Sequence, residues 1–305
     1  MSFAEMLVTQ RRESSLDKIF GLVKWERLRY RLKKILDRSS DGRPPYDELL
    51  MFRVMILQKL YDLSDPQMEE MLYDRLSFRR FCGLGLEDKI PDETTILRFR
   101  NLLQGHSEKL LALVNQDLGE KGIEWAGGRI VDATLIKSKA HPPRGGEQSE
   151  VDPEAGWTCK NGEYTYGYKG HISTTKKGLI CKTQMTSADV HDSQVLESLL
   201  DETTTKVYAD KAYPSKARRQ RLKDHGIKDG ILHKKQKGQP LDPHLKALNK
   251  INSRIRSTVE RTFAHLKDIF GYRVTRYKGW DKNQVHLDLL AIAYNLKRST
   301  RLITG

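Results

Sequence analysis

The first part of the chain alternates apolar and polar positions with the period of an α-helix. Apolar residues recur at helical spacing in YDELLMFRVMILQKLYD, and later segments carry clear start and stop signals. Asp65-Pro66 sets a side-chain acceptor before a proline, Gly83 offers a stop, Pro91-Asp92 opens the next helix and Ser107 caps another. The pattern predicts an all-helical N-terminal domain over residues 1–124.

The pattern changes to runs of strand length after Gly127-Gly128. RIVDATLI, YTYGYKGHISTT and GLICKTQMTSA predict three strands in series; QVLESLLDE predicts a helix, KVYADKAY a strand, KARRQRLKDHG a helix and DGILH a strand. A long helix from Pro243 and a C-terminal helix over 281–302 follow. This order predicts an α/β fold over residues 125–305, with a mixed sheet flanked by helices.

Residues 137–163 interrupt this order. They are rich in Lys, Pro, Gly and Glu and show no periodicity. Such a composition predicts a mobile surface loop between the first two long strands.

Composition adds a partner class to this picture. The 305 residues include 12 Tyr, 8 Phe and 4 Trp, which is enough aromatic side chain for a packed core and excludes a disordered chain. The 54 Lys and Arg residues outnumber the 40 Asp and Glu residues, so the formal net charge is +14. This charge predicts a polyanionic partner, with nucleic acid first, and leaves a membrane surface or a heparin-like polymer open.

Other classes of protein do not fit the sequence. No apolar stretch approaches the roughly 18–20 residues of a membrane-spanning helix, and Glu5 precedes any apolar run that could serve as a signal peptide. Cys82, Cys159 and Cys181 are odd in number and lie far apart, without zinc-ligand spacing. We therefore expect three reduced thiols in a cytoplasmic protein.

Two aspartates stand in the predicted strands. Asp132 interrupts the apolar run of RIVDATLI, where an ionised carboxylate is costly unless it is compensated; the alternative is a capping or turn aspartate. Asp210 stands at the carboxyl end of the strand in KVYADKAY, where open α/β sheets bind ligands. A helix cap is the alternative there, but Asp210 comes too early to cap the helix that starts at Pro214.

One helical face carries a third acid. Arg256, Glu260 and Lys267 fall within about 40° of one another on a helical wheel, and the alternative is an exposed ladder of ion pairs. Together with Asp132 and Asp210, Glu260 makes a set of carboxylates that suits two Mg²⁺ ions in phosphoryl transfer. No phosphate-binding glycine loop competes with this interpretation.

At these residues the sequence resembles the DDE transposases of bacterial insertion sequences, specifically the insertion sequence 5 family. The segments that carry the resemblance are PDETTILRFR (91–100), VDATLI (131–136), YGYKGHISTTKKGLI with TSADVHDSQVLESLL (166–200), VYADKAY (207–213) and RIRSTVERTFAHLK (254–267). The resemblance implies an RNase H-like catalytic domain, a helical DNA-binding domain before it, and Asp132, Asp210 and Glu260 as the metal-binding triad. The family signature around Glu260 is matched by Arg256 and Lys267, whereas Ser253 stands at its tyrosine position.

Basic residues supply candidate DNA contacts. Arg98 and Arg100 lie on a helix that could enter a groove, and the other candidates are Lys169, His171, Lys211, Arg218, Arg219 and Arg254. Each of them could instead be an ordinary solvated surface charge.

These features predict a transposase that binds the terminal inverted repeats of a mobile element as double-stranded DNA. It would hydrolyse a phosphodiester to expose a 3′-hydroxyl and join that end to target DNA. Catalysis would use two Mg²⁺ ions, with Mn²⁺ as a substitute, in a homodimer or larger assembly. Two alternatives remain at this point: a catalytically silent DNA-binding repressor or architectural protein, and an RNase H-like nuclease without strand transfer.

Overall fold

The structure is a computed structural model, and it describes residues 13–36, 45–141, 143–144, 147, 149–160, 162–235 and 238–303. The N-terminal part is helical, as predicted, up to residue 120. Its helices are α1 (Ser15–Phe20), α2 (Trp25–Ile35), α3 (Glu48–Leu60), α4 (Asp65–Asp74), α5 (Leu76–Cys82), α6 (Glu93–Leu102) and α7 (Ser107–Glu120). Residues 1–12 and 37–44 of the predicted helical domain lie outside the described residues.

The second part contains a mixed sheet flanked by helices, as predicted. Its elements are β1 (Gly127–Lys137), β2 (Gly156–Lys160), β3 (Glu163–Thr174), β4 (Ile180–Ser187), β5 (Thr204–Tyr208), α8 (Lys216–Asp224), β6 (Lys228–Asp229), α9 (Pro243–Ile269) and α10 (Trp280–Ile303). The strands follow the order β2, β3, β1, β5, β6, and β4 pairs with β3. β1, β5 and β6 are parallel, whereas β3 runs antiparallel to β1, β2 and β4.

The helices of the N-terminal part begin and end close to the residues that the sequence predicts, but two of the predicted N-caps are wrong. Ser64, rather than Asp65, is the N-cap of α4, since its side chain accepts from the Gln67 backbone N–H and leaves Asp65 free to pair with a cation. Ser107 caps no helix through its side chain and instead donates to Asp288 at 2.5 Å. Gly83 ends α5 in the left-handed conformation, as expected for a glycine stop.

The segment 194–202 is not the helix that its apolar spacing predicts. It forms two single 3₁₀ turns, Asp192–Gln194 and Glu197–Leu199, because Val195, Leu196 and Leu199 are all drawn into a small core against β1 and β5. Of the predicted strand DGILH (229–233), only Asp229 lies in a strand, the short β6 (Lys228–Asp229). In both places tertiary packing overrides the local pattern.

The segment 137–163, expected to be a mobile loop, contains regular and buried structure. Gly156–Lys160 pairs with β3 as strand β2. Asp152 is fully buried and accepts from Ser138 Oγ at 2.6 Å, Tyr168 Oη at 2.5 Å and the Gly279 backbone N–H at 3.0 Å. Residues 142, 145–146, 148 and 161 of this segment lie outside the described residues.

One large core links the helical part to the sheet. It contains the apolar side chains of α3, α7 and α10 together with Ile130, Ile136 and Ile172 from the sheet. α10 packs against α7, α3 and β4, so the C-terminal helix holds the two parts together. Among the described residues, none of the helices combines the length and apolar character needed to cross a membrane.

A buried carboxylate lies where these elements meet. Asp288 of α10 is fully buried and accepts hydrogen bonds from Ser107 of α7, Thr183 of β4 and Gln284. Burial raises the pKa of Asp288 to about 7, and the three donors oppose that rise. The junction between helical part and sheet therefore contains a group that titrates near neutral pH.

We expect this group to make stability depend on pH. The pKa of Asp288 is higher in the folded chain than in the unfolded chain, so its contribution favours folding below about pH 4 and is lost as the pH rises through about 7. The melting temperature of the wild type relative to Asp288→Asn should therefore fall between pH 5 and pH 7.5. Thermal unfolding followed by circular dichroism measures this, with the exposed Glu124→Gln as control; an equal difference at both pH values would contradict it.

Candidate active site

Two aspartates come together at the carboxyl end of β5, an interior strand that runs parallel to β1. β5 pairs with β1 only as far as Ile130 and ends at Tyr208, so Asp132 and Asp210 both lie just beyond that pairing. α9 passes this end of the sheet and places Arg256 between the two carboxylates. Arg256 Nη2 lies 3.0 Å from Asp132 Oδ2, and Nη1 lies 3.4 Å from Asp210 Oδ1.

The two carboxylates have different surroundings. The side chain of Asp132 is 20% exposed and that of Asp210 is 47% exposed. Burial raises the pKa of Asp132, and the guanidinium of Arg256 and the backbone N–H of Ala133 oppose this rise. Asp132 is therefore an ionisable group that needs a cationic partner to stay charged.

Tyr213 is a neighbour of this site that the sequence analysis did not single out. Its side chain is buried, and its hydroxyl has no hydrogen-bond partner among the described residues. Burial raises its pKa, and the nearby charges of Asp132, Asp192 and Asp210 add to the rise. Tyr213 lies three residues after Asp210, and it is close enough to Asp132 and Asp210 for their charges to act on its hydroxyl.

Glu260 lies one helical turn beyond Arg256, and its side chain is exposed. Four residues of an α-helix correspond to about 6 Å of rise, so the backbone of Glu260 lies about 6 Å beyond that of Arg256 along α9. Among the described residues, no group of three or more acidic, histidine or cysteine side chains is close enough to hold a metal ion. The structure thus brings Asp132 and Asp210 to the guanidinium of Arg256. Glu260 lies on the same helix as Arg256 but is not part of a cluster with the two aspartates.

β1 and α9 run side by side from this point. Arg256 of α9 meets Asp132 of β1 at one end, and Lys267 of α9 lines a cavity with Lys137 of β1 at the other. Eleven helical residues and five strand residues both span about 16 Å, so the two elements stay in step. Arg256, Glu260 and Lys267 lie along one face of α9, and we call this face, together with the part of β1 that runs beside it, the groove.

The donors at this groove fit a hard divalent cation. Asp132 and Asp210 supply carboxylate oxygens, which Mg²⁺ prefers, and both already share one cationic group in the guanidinium of Arg256. A cation held there would compensate the buried charge of Asp132 in the same way. Glu260 is the nearest further carboxylate on α9.

Four of the predicted DNA contacts have other partners in the structure. Arg100 is buried, pairs with Asp65 and stacks 4.7 Å from the ring of Tyr277. The other three are His171, 2.8 Å from Thr186; Lys169, 3.0 Å from Asp192; and Arg218, 3.0 Å from Glu197. Arg100, His171 and Arg218 are buried, whereas the side chain of Lys169 is 17% exposed.

The other predicted contacts lie at the surface. Arg98, Lys211 and Arg254 are exposed, and Arg219 is partly exposed and paired with Asp229. Lys211 follows Asp210 directly, and Arg254 lies half a turn before Arg256 on α9. Two residues turn an α-helix by about 200°, so Arg254 points away from the face that carries Arg256. Lys211 is the sequence neighbour of Asp210, and Arg98 lies on α6 in the helical part.

Arg98 and Arg100 should therefore behave differently when each is replaced by alanine. Arg100→Ala leaves Asp65 without its buried partner, and we expect it to lower the free energy of unfolding by about 3 kcal/mol. Arg98→Ala should change it by less than about 0.5 kcal/mol while weakening DNA binding. Urea unfolding and fluorescence anisotropy with duplex DNA measure the two effects; similar loss of stability in both variants would contradict the assignment.

Removing the charge of Asp132 should stabilise the fold. Because burial raises its pKa, ionised Asp132 costs stability at neutral pH, and we expect Asp132→Asn to gain up to about 1 kcal/mol in urea unfolding. The gain should disappear as the pH is lowered, since the wild-type carboxyl group then takes up a proton. Asp210→Asn, at a more exposed position, serves as the comparison; a clear loss of stability in Asp132→Asn at pH 7 would refute the expectation.

Two family models match the sequence. The model described as the transposase DDE domain matches residues 126–296, which include Asp132, Asp210 and Glu260. The model described as a transposase domain matches residues 5–102, most of the helical part. No solved structure matches the chain.

Proposed function

The chain belongs to the family of transposases with a DDE domain, and we propose that it cuts and joins DNA at the terminal inverted repeats of an insertion sequence. Its mixed sheet flanked by helices is the RNase H-like fold of that domain. Membership implies a metal-dependent nuclease or transposase that binds DNA. The finer assignment to the insertion sequence 5 family is part of the proposal and is supported by the signature at Arg256, Glu260 and Lys267.

One observation carries the proposal: Asp132 and Asp210, 78 residues apart in sequence, converge on a single guanidinium of the helix that bears Glu260. We infer that these three carboxylates hold two Mg²⁺ ions, or Mn²⁺ in their place. Such ions, when bound, activate the attacking hydroxyl and stabilise the leaving 3′-oxygen. Asp132 lies on the more buried side of the site, and Asp210 lies on the side from which DNA would enter from solvent.

Arg256 can pair with the two aspartates or with a DNA phosphate in this scheme. In the structure its guanidinium compensates both aspartates. When other cations take over that role, the same guanidinium becomes free to contact a DNA phosphate, for which its planar donors are suited. Arg256 thus protects the carboxylates from mutual repulsion before the substrate binds.

The same scheme assigns positions to other groups. Lys267 would contact phosphates further along the groove, and the exposed Lys211 and Arg254 are proposed as further contacts to DNA phosphates. Both ends of an element must be held together for strand transfer, so we propose a homodimer or a larger assembly on double-stranded DNA. We place the protein in the bacterial cytoplasm, at the nucleoid when it is bound to DNA.

Removing any one carboxylate should abolish cleavage. We expect Asp132→Asn, Asp210→Asn and Glu260→Gln each to lower Mg²⁺-dependent cleavage of a duplex that carries the DNA flanking the gene by about 10³-fold, because each change removes a charged oxygen ligand. Denaturing gels measure the cleavage, and a pre-nicked duplex measures joining to target DNA. DNA affinity should stay within about threefold of the wild type.

The exposed Glu202→Gln serves as the matched control and should cleave as the wild type does. Full activity in any of the three variants would remove that residue from the site. DNA binding without cleavage by the wild type, in either Mg²⁺ or Mn²⁺, would indicate a repressor or architectural protein. Cleavage without joining would indicate a nuclease that lacks strand transfer.

A further inference from the structure

The far end of the groove is a separate basic cavity. It has a volume of about 540 Å³ and lies between the end of β1, the β2–β3 hairpin, α9 and the segment that follows α9. Each of these four elements contributes one cation: Lys137, Lys160, Lys267 and Arg273. Leu135, Thr165, Val274 and one acid, Glu163, complete its walls.

The cations of this cavity are only partly neutralised. Lys137 lies 3.4 Å from Glu163, and Arg273 pairs with Asp268, but no ion pair joins Lys160 or Lys267 to an acid among the described residues. Burial lowers the pKa of Lys267, and the charges of Arg273 and Lys160 lower it further. Lys137, Lys160 and Arg273 are exposed around the half-buried Lys267. An anion bound among these like charges would relieve their repulsion.

The backbone fixes this cluster in place. The Lys137 N–H donates to the Arg273 carbonyl oxygen at 3.3 Å, and the Thr275 N–H donates to the Lys137 carbonyl oxygen at 2.8 Å. The end of β1 and the segment after α9 therefore form one rigid wall. β2 pairs with β3 up to Lys160–Glu163, so the hairpin presents Lys160 from an ordered strand end.

The distance from the carboxylates suggests what binds here. Lys267 lies seven residues after Glu260 on the same face of α9, about 10 Å along the helix. Phosphates of one DNA strand advance about 3.4 Å per nucleotide along the duplex axis. A strand whose scissile phosphate lies at Glu260 therefore brings a phosphate about three nucleotides away to the level of Lys267.

We propose that this cavity binds the backbone phosphates of one DNA strand about three nucleotides from the scissile phosphate, and that the β2–β3 hairpin contributes Lys160 to the contact. The inference rests on the proposed function for the position of the scissile phosphate. The cavity is far too small for a duplex, so the strand backbone enters it while the bases stay outside. It is a contact that positions DNA without reading its sequence.

Salt dependence of DNA binding tests the cavity without requiring cleavage. We expect Lys160→Ala and Lys137→Ala each to weaken binding of a duplex that carries the DNA flanking the gene, and to reduce the slope of log affinity against log salt concentration by about 1 between about 50 and 200 mM. Glu163→Gln should strengthen binding, because it removes the acid next to Lys137. Fluorescence anisotropy measures both quantities.

Lys228→Ala is the matched control, since this exposed lysine lies on β6 at the opposite edge of the sheet from β2. Its slope should equal that of the wild type. Unchanged slopes for Lys160→Ala and Lys137→Ala would overturn the inference even if the wild type cleaves DNA. Reduced slopes in a protein that cleaves no DNA would uphold the cavity and reject the proposed function.

Neutral methylphosphonates in the DNA test the position. A single replacement about three nucleotides from the mapped cleavage point should weaken binding of the wild type several-fold and should add little to the defect of Lys160→Ala. A replacement that has its largest effect elsewhere, or an equal effect in both proteins, would overturn the proposed register.

Discussion

A single guanidinium between two carboxylates is the interaction on which the candidate site depends. Asp132 is buried enough that its charge is costly, and Asp210 brings a second negative charge to the same place. Without a cation between them, the carboxylates of Asp132 and Asp210 would repel each other. Arg256 provides that cation from α9 and so ties the sheet to the helix that carries Glu260 and Lys267. A site of this kind is electrostatically prepared for divalent ions, because two oxygen ligands are already held around a positive charge.

The contact at Arg256 also sets the course of the groove. From Asp132 and Arg256 onward, β1 and α9 advance by equal lengths, so side chains of the helix face successive levels of the strand. Carboxylates lie at the first level and a basic cavity at the last. Under the proposed function, DNA would be cut at one end of the groove and the strand backbone would be held at the other. The β2–β3 hairpin, which occupies a segment expected to be a loop, closes the basic end.

Several of the basic side chains proposed to contact DNA have partners within the fold. Arg100, Lys169 and Arg218 are paired inside the structure, and His171 is buried against Thr186. Placing a charged group in such a pair has a desolvation cost, which its partner within the fold offsets. The net charge of +14 predicts a polyanionic partner, but it does not say which individual cations reach that partner.

The sequence by itself determined the elements and the chemistry of the site. Helical periodicity predicted α3, α4, α6, α7, α9 and α10, and apolar runs of strand length predicted β1, β3, β4 and the end of β5, because these patterns are set by local backbone geometry. The apolar neighbours of Asp132 and the spacing of Arg256, Glu260 and Lys267 marked the site in the same way. Only the tertiary structure decided which charges are buried and that Arg256 joins Asp132 to Asp210. It also decided that Tyr213 lies near these two carboxylates and that 194–202 forms short turns instead of a helix. These features depend on contacts between residues far apart in the chain, and no local pattern contains them.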